Sequence, residues 1–292
     1  MAEYKAESIV LTNEIREKLG ETFIDLPCGN TRYRVEGEGS EWFVLVHGYA
    51  TPLFIYDLIA ERLIKNGYKV LRYDLLGRGL SERVNAVYNH DLFATQLDQL
   101  TQAIIGDESF YLVGTSMGGA ITTAFTAKHP EKVKKLILLA PAGMEFDAPF
   151  YMKLSNVKGI GDFIFGLIGA KVLTKNCASE LIYSGEEVRK SYTEKFAYCT
   201  QYKGFTKATL SSLRNVILRW DISEKNYQSV ADNGIPVLVI WGTKDKTMPY
   251  YQAERMQKFL PNMKLITYDG SGHIFLYDEG ERTTNDILEF IK

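Results

Sequence analysis

Ser116 lies in a pattern that is typical of a nucleophilic serine between a strand and a helix. The hexapeptide GTSMGG, at residues 114–119, follows the apolar run FYLV and precedes the helical run AITTAFTAKH. Glycines two residues before and two residues after the serine suit the tight turn of a G-x-S-x-G motif, and the helix start behind it favours developing negative charge. The pattern predicts Ser116 as a nucleophile, with an ordinary glycine-rich turn as the alternative.

His273 is the predicted general base. A serine hydroxyl is a weak nucleophile without a base, and only two of the chain's four histidines follow Ser116. His129, in KHPEKV, ends the helical run after Ser116 and has the setting of a solvated helix end. His273, in DGSGH, follows the last predicted strand on a loop that can place an imidazole above the sheet. The alternative is a structural loop histidine.

Asp245 is the predicted acid that orients His273. It follows the strand-like run PVLVI in the sequence WGTKD and precedes His273 in the chain. An aspartate in this place would hold the neutral histidine in one tautomer and stabilise the imidazolium that forms. Two alternatives stay open: Asp245 as a turn or capping residue, and an acid at Glu145 or Asp147, just after the fifth predicted strand.

The run HGYA at residues 47–50 supplies the remaining part of the predicted site. It follows the strand-like run FVLV, and a tetrahedral oxyanion needs two positioned backbone donors. We predict the N–H of Met117, next to the serine, as one donor and the N–H of Tyr49 as the other. His47 is predicted to brace this loop and to transfer no protons.

The run DLLGRGLS at residues 74–81 contains a G-x-G pair that invites a dinucleotide-binding interpretation. The third glycine and the immediate helix of that motif are missing, so the pattern favours a turn with glycine-dependent backbone angles. The P-loop pattern GxxxxGK[ST] is absent, and three cysteines without a CxxC pair give no metal pattern. The sequence therefore predicts neither a cofactor nor a metal.

Strand-like runs alternate with helical patterns along most of the chain. The predicted strands are 33–36, 42–46, 69–73, 110–113, 135–139, 236–240 and 264–267, and the predicted helices are 53–66, 91–105, 120–128 and 286–291. The first two strands are predicted to pair with each other. The alternation as a whole predicts an α/β fold with a mostly parallel, doubly wound sheet.

Residues 143–233 interrupt this alternation, because aromatic and apolar residues there lie among helix formers without a strand-like pattern. We predict a helical cap at 143–233, inserted before the last two strands of a core formed by 1–142 and 234–292. The alternative is that these helices belong to the core itself.

Composition and charge exclude several classes of protein. The 292 residues carry a net charge of −2 without a long run of like charges, which predicts no nucleic-acid partner. Three cysteines predict no disulfide scaffold and a reducing compartment. The N-terminal segment is charged and no run of 18 apolar residues occurs, so we expect a soluble, cytoplasmic protein without stable membrane insertion.

Five motifs together resemble the α/β-hydrolase superfamily. HGYA, DLLGRGLS, GTSMGG, WGTKDKTMP and GSGH occur in the order and at the spacing of that family, over residues 31–141 and 235–292. The elbow and the run LLAPAGM resemble the monoacylglycerol-lipase and carboxylesterase branch. The resemblance implies a serine hydrolase that needs no metal or nucleotide and uses water to cleave esters. The aromatic residues of the predicted cap suggest an apolar acyl or aryl group in the substrate.

Two other functions stay open within this resemblance. The chain is also similar to hydrolases that cleave C–C bonds in meta-cleavage products, although Ile274 stands where those usually have tryptophan after the histidine. Some proteins of this fold are receptors that bind a small hydrophobic ligand with slow or no turnover. Relatives that dehalogenate or open epoxides have an aspartate in place of Ser116, which excludes those reactions.

The most apolar part of the predicted cap is the segment 159–169. Its recurring glycines each cost a helix about 1 kcal/mol relative to alanine, so we expect a mobile segment and no rigid helix. Phe163 and Phe165 either pack on the sheet or form a lid that lines the acyl pocket or touches a lipid surface, by analogy with lipases.

Overall fold

Runs rich in β-branched and aromatic residues form an eight-stranded sheet in a computed structural model that describes residues 4–292. The first three residues of the charged N-terminal segment lie outside the described residues. The strands are β1 Phe23–Leu26, β2 Gly29–Glu36, β3 Trp42–Val46, β4 Lys69–Tyr73, β5 Phe110–Thr115, β6 Val133–Leu139, β7 Val237–Gly242 and β8 Lys264–Tyr268, in the spatial order β1-β2-β4-β3-β5-β6-β7-β8.

Strands β3 to β8 are parallel, and β1 and β2 add an antiparallel edge. The mostly parallel sheet predicted from the sequence is confirmed. Every residue of β3, β5 and β7 is buried, as expected for central strands covered on both faces. Because parallel strands end at the same edge of a sheet, the segments after β3, β5 and β7 meet there.

Helices connect the strands and flank the sheet. They are α1 Asn13–Lys18, α2 Asp57–Lys65, α3 His90–Ile104, α4 Met117–Lys128, α5 Phe150–Asn156, α6 Ile160–Asn176, α7 Glu186–Thr200, α8 Phe205–Ser212, α9 Trp220–Asp232, α10 Tyr251–Met256, α11 Phe275–Asp278 and α12 Gly280–Ile291. Helix α2 packs against α12, and α4 packs against both α3 and α9. Over residues 4–292, no helix combines the length and the apolar character that crossing a bilayer requires.

The predicted pairing of the first two strands, 33–36 and 42–46, is wrong. Strand β2 pairs antiparallel with β4, while β3 lies between β4 and β5. The charged side chains of β2 explain this arrangement, because they form ion pairs with residues on β4 and directly after it. Glu36 accepts hydrogen bonds from Arg72 at 2.6 and 3.0 Å, and Arg32 donates to Asp74 at 3.2 Å.

The helices α5 to α9 lie between β6 and β7, so the predicted insertion before the last two strands is confirmed. Helix α6 packs against α5, α7 and α8, whereas α9 packs against α4 of the core. The boundaries of a separate cap domain at 143–233 stay a prediction.

The expectation that 159–169 forms no rigid helix is wrong in its secondary structure, because residues 160–169 belong to α6, a helix of 17 residues. The mobility of the segment stays a prediction. Two features stabilise this helix despite its glycines. Asp162 accepts a hydrogen bond from the N–H of Gly159 at 2.8 Å and pairs with Arg214 at 2.9 Å. Gly161 is buried so close to the end of α5 that a side chain there would lie 2.3 Å from the Ser155 carbonyl oxygen.

Two glycines of α6 give a matched test of this helix. We expect Gly166→Ala to raise the free energy of unfolding by about 0.5–1 kcal/mol, because Gly166 is exposed with no atom near an added Cβ. Gly161→Ala should lower it, because its Cβ would meet the Ser155 carbonyl. Urea unfolding measures both, and equal effects of the two changes would contradict an ordered α6.

Candidate active site

Ser116 connects β5 directly to α4 in a strained backbone conformation. Its φ of 54° and ψ of −124° are rare for a residue with a side chain, and strain of this kind is found at functional sites. Its N–H donates to the Leu139 carbonyl at 2.9 Å, and its own carbonyl accepts from Gly119 and Ala142 at 2.9 and 2.8 Å. The ends of β5 and β6 therefore hold the sharp turn in place.

Gly118 allows this turn to approach the end of β3. A Cβ on Gly118 would lie 2.2 Å from the Val46 carbonyl oxygen and 2.5 Å from that of His47. Gly48 approaches from the other side, where a Cβ would lie 3.1 Å from the Cβ of Ser116. The serine and the loop after β3 thus lie in direct contact.

Asp245 and His273 meet at the same edge of the sheet. His273 Nδ1 lies 2.7 Å from Asp245 Oδ2. The second oxygen, Asp245 Oδ1, accepts hydrogen bonds from the N–H groups of Thr247 at 2.9 Å and Met248 at 2.7 Å. A carboxylate held in this way accepts the Nδ1 proton of a neutral imidazole, which leaves Nε2 free to take a proton.

No hydrogen bond joins the Ser116 hydroxyl to His273 in the part of the chain that the structure describes. Hydrogen bonds between a nucleophile and its base are often long before substrate binds and tighten in the complex. Ser116 is 6% exposed, so its hydroxyl lies in a largely buried position.

Glu180 is a second carboxylate at His273 that the sequence did not indicate. It lies between α6 and α7 and is buried. Its Oε2 accepts from the backbone N–H of His273 at 3.3 Å, and its Oε1 accepts from the Thr247 hydroxyl at 3.3 Å. One side chain from the inserted helices thus contacts both the histidine loop and the aspartate loop.

Two opposing effects set the pKa of His273. Burial lowers it, but the negative charge and the hydrogen bond of Asp245, with a contribution from the charge of Glu180, outweigh burial and raise the pKa above 6.5. The neutral form that can act as a base is therefore fully present only above this raised pKa.

His47 holds the peptide between Gly48 and Tyr49. Its Nε2 accepts from the N–H of Leu75 at 2.9 Å, so its proton lies on Nδ1, which is 3.0 Å from the Gly48 carbonyl oxygen. Burial lowers the pKa of His47 to about 4, which keeps the ring neutral. Because C=O and N–H point in opposite directions in a trans peptide, the N–H of Tyr49 is directed away from His47.

Arg78 is a further buried residue to which the sequence assigned no role beyond a turn. Its Nε donates to the Tyr49 carbonyl at 2.9 Å, and its guanidinium lies 5.9 Å from the Tyr49 ring and 5.5 Å from the Phe93 ring. Burial lowers the pKa of Arg78 to about 10. Together with His47, it fixes both peptides that flank Tyr49.

The alternative acids and His129 lie away from the Asp245–His273 contact. Glu145 forms an exposed ion pair with Arg255 at 2.7 Å, and Asp147 forms one with Lys153 at 2.8 Å. His129 ends α4 with its nearest carboxylate oxygen 3.7 Å away, on Glu131. Within residues 4–292, no group of three or more His, Cys, Asp or Glu is arranged to hold a metal ion.

A cleft of about 560 Å³ opens between β2 and α7, and its wall does not include Ser116 or His273. Arg32 and Arg34 in this cleft both pair with Glu21, at 2.7 and 2.9 Å. The wall carries three basic residues and three acidic ones in all, the others being Lys195, Asp57 and Glu194. Because these charges balance, we assign no substrate to the cleft.

Known proteins share both the sequence pattern and this architecture. The sequence model of the alpha/beta hydrolase fold matches residues 41–280. Lipase 3 of Moraxella sp. (strain TA144) is 29% identical over 251 residues, which are 86% of this chain and 77% of that protein. The 2-hydroxy-6-oxononadienedioate/2-hydroxy-6-oxononatrienedioate hydrolase of Cupriavidus pinatubonensis (strain JMP 134 / LMG 1197) is 24% identical, over 92% of this chain and 94% of that protein. The solved structure of an esterase from Exiguobacterium antarcticum superposes with a TM-score of 0.77 at 20% identity, over 93% of this chain and 99% of that one.

The contact between Glu180 and the histidine loop gives a pH-dependent prediction. We expect kcat/KM to fall as the pH drops through the raised pKa of His273, because the imidazolium cannot accept a proton. Glu180→Gln removes one negative charge, so this acidic limb should move toward lower pH. The pH profile of ester cleavage measures the shift.

Glu145→Gln is the matched control, because it removes an exposed carboxylate that pairs with Arg255. It should leave the acidic limb in place. An unmoved limb in folded Glu180→Gln would show that Glu180 has no electrostatic influence on His273.

Proposed function

The chain belongs to the α/β-hydrolase fold family, and we propose that it is a serine hydrolase that cleaves carboxylic esters through an acyl-enzyme. One observation carries this proposal: the Asp245–His273 contact of 2.7 Å lies at the same sheet edge as the strained turn at Ser116. A serine, a base and an oriented acid are the groups that acyl transfer requires.

In the proposed acylation step, His273 Nε2 takes the hydroxyl proton of Ser116 while Ser116 Oγ bonds to the ester carbonyl carbon. The carbonyl oxygen becomes an oxyanion, which the N–H groups of Tyr49 and Met117 stabilise. The carbonyl then re-forms, the bond to the alkoxy oxygen breaks, and the imidazolium gives its proton to the leaving alcohol. An acyl group remains on Ser116.

Water completes the proposed cycle. His273 takes a proton from the water molecule while the water oxygen attacks the acyl carbon. The second tetrahedral intermediate expels Ser116 Oγ, which regains a proton from the imidazolium, and a carboxylic acid leaves. Asp245 stabilises the imidazolium in both halves and does not itself become protonated.

The proposed substrates are esters with an apolar acyl or aryl group, such as a monoacylglycerol. The inserted segment supports this, since Leu181, Phe196 and Phe205 give it a buried apolar interior. The similarity to a lipase over 86% of this chain supports the same class.

Hydrolysis of a C–C bond in a meta-cleavage product is the second candidate. The similarity to a hydrolase of a 2-hydroxy-6-oxo dicarboxylate, over 92% of this chain, favours it. Ile274, the residue after His273, favours the ester instead, because the resembling C–C hydrolases usually carry tryptophan there. Comparing kcat/KM for both substrate types with one preparation distinguishes the two.

Removal of the Ser116 hydroxyl tests the proposed nucleophile. We expect Ser116→Ala to lower kcat for p-nitrophenyl esters by about 10⁴-fold or more with an unchanged circular dichroism spectrum. Repeated turnover by the wild-type protein is expected as well, whereas a stoichiometric burst alone would indicate a receptor. Activity within tenfold of wild type in folded Ser116→Ala would rule out the assignment.

The identity of the acid has its own test. We expect Asp245→Asn to reduce kcat by roughly 10⁴-fold, because an amide holds the wrong histidine tautomer. Glu145→Gln should reduce kcat less than about twofold, since its carboxylate pairs with Arg255 in solvent. The reverse order of effects would place the acid after β6.

A further inference from the structure

Apolar residues lie around most of helix α6, yet one side of it is not covered by the protein. The exposed apolar side chains of α5, α6 and the segment between them form what we call the α5–α6 face: Phe150, Val157, Ile160, Phe163, Ile164, Leu167, Ile168 and Val172. Three of the largest, Phe150, Phe163 and Leu167, are 77%, 69% and 63% exposed. Apolar patches of this extent mark interaction sites on soluble domains.

The two sides of α6 differ in their spacing and in their contacts. The exposed residues on the helix recur at intervals of three and four and so form one stripe. Gly169 and Ala170 are buried on the other side, where Phe165 and Leu173 also pack against the core, and Gly161 is buried against the end of α5. Because that side packs against the neighbouring helices, the helix cannot rotate to bury the stripe without exposing its packed side.

Charge distinguishes this face from the rest of the chain. Between residues 149 and 176, four lysines, Lys153, Lys158, Lys171 and Lys175, stand against one acid, Asp162, which gives +3. Lys153 pairs with Asp147, just before this segment, at 2.8 Å, so Lys158, Lys171 and Lys175 carry the positive charge of the face. The whole chain has a net charge of −2, so the remainder carries −5. Asp162 is also paired with Arg214 at 2.9 Å. An apolar stripe flanked by lysines complements a surface with an apolar interior and anionic headgroups.

We propose that the α5–α6 face docks this protein on the surface of an anionic phospholipid bilayer, with α6 lying in the plane of the interface. At 17 residues, with lysines along it, the helix is suited to lie in the interface and is too short and charged to cross it. A second copy of the chain is a poorer partner, because two such faces would bring their lysines together.

The position of the face in the chain gives docking a consequence for the site. Helix α6 ends at Asn176, and the segment that follows leads to Glu180, which contacts the N–H of His273. A bilayer bound at α6 would therefore be connected to the predicted base through residues 177–180 and the contact of Glu180 with His273. This proposal concerns attachment and does not rest on the proposed ester cleavage.

Co-sedimentation of the full chain with vesicles tests the proposal. We expect binding to vesicles of mixed phosphatidylcholine and phosphatidylserine, weakening as salt rises, and much less binding to phosphatidylcholine alone. Phe163→Ser/Leu167→Ser should lower the partition coefficient at least about tenfold, because two apolar side chains no longer enter the interface. Lys171→Glu/Lys175→Glu should lower it roughly tenfold or more on the anionic vesicles.

Matched variants elsewhere on the surface serve as controls. Val87→Ser/Val188→Ser changes two exposed apolar residues outside the face, and Lys225→Glu/Lys258→Glu reverses two exposed lysines. The apolar control should bind both vesicle types as the wild type does. The partition coefficient of the charge control should fall less than about threefold. Circular dichroism checks that each variant folds, and Ser116→Ala should bind like wild type, which separates docking from catalysis.

Three outcomes would overturn the proposal. One is wild-type protein that stays in the supernatant with anionic vesicles, and another is equal loss of binding in the face variants and their controls. The third is a dimer, seen by size-exclusion chromatography without lipid, that Phe163→Ser/Leu167→Ser converts to a monomer. That result would assign the α5–α6 face to a second copy of the chain.

Discussion

The parallel alignment of β3, β5, β6 and β7 in one sheet is the constraint on which the arrangement of the site depends. Residues far apart in the chain meet because their strands end at one edge. The loops still have to approach within atomic contact, and Gly118 makes this possible by lying against the Val46 carbonyl. A side chain at this glycine would push α4 away from β3 and separate Ser116 from the loop of His47.

Two histidines of the site show how surroundings give one residue type two different properties. His47 is buried with its two nitrogens bonded to backbone groups, and burial lowers its pKa to about 4. His273 is also largely buried, but carboxylates at its ring and its backbone raise its pKa. The first is thus a neutral structural group near pH 7, and the second holds a proton more readily than an ordinary histidine.

Much of the fold and the candidate site followed from local sequence patterns. The strands at 42–46 and 69–73 have the predicted bounds, since unbroken apolar runs indicate buried parallel strands. The pairing of β2 with β4 could not be read in this way, because it depends on ion pairs such as Arg72–Glu36 between distant segments. Helix α6 was missed because glycine counts against a helix locally, while the close packing that Gly161 permits is a tertiary effect. Glu180 gave no signal at all, since nothing in the sequence relates a turn between two inserted helices to His273.

The double contact of Glu180 bears on how proteins of this family can be re-engineered. Thr247 gives its N–H to Asp245 and its hydroxyl to Glu180, and Tyr183 and Ser184 from the same segment bond to Asp278. The inserted helices therefore belong to the framework that aligns the histidine and aspartate loops, besides covering the sheet edge. A chimera that exchanges residues 143–233 for those of another hydrolase would change the residues around the pocket. It would also lose the contacts of Glu180 with His273 and Thr247, unless the new segment has a carboxylate at that position. In this molecule the inserted segment cannot be replaced without changing the contacts that hold His273 and Asp245 in place.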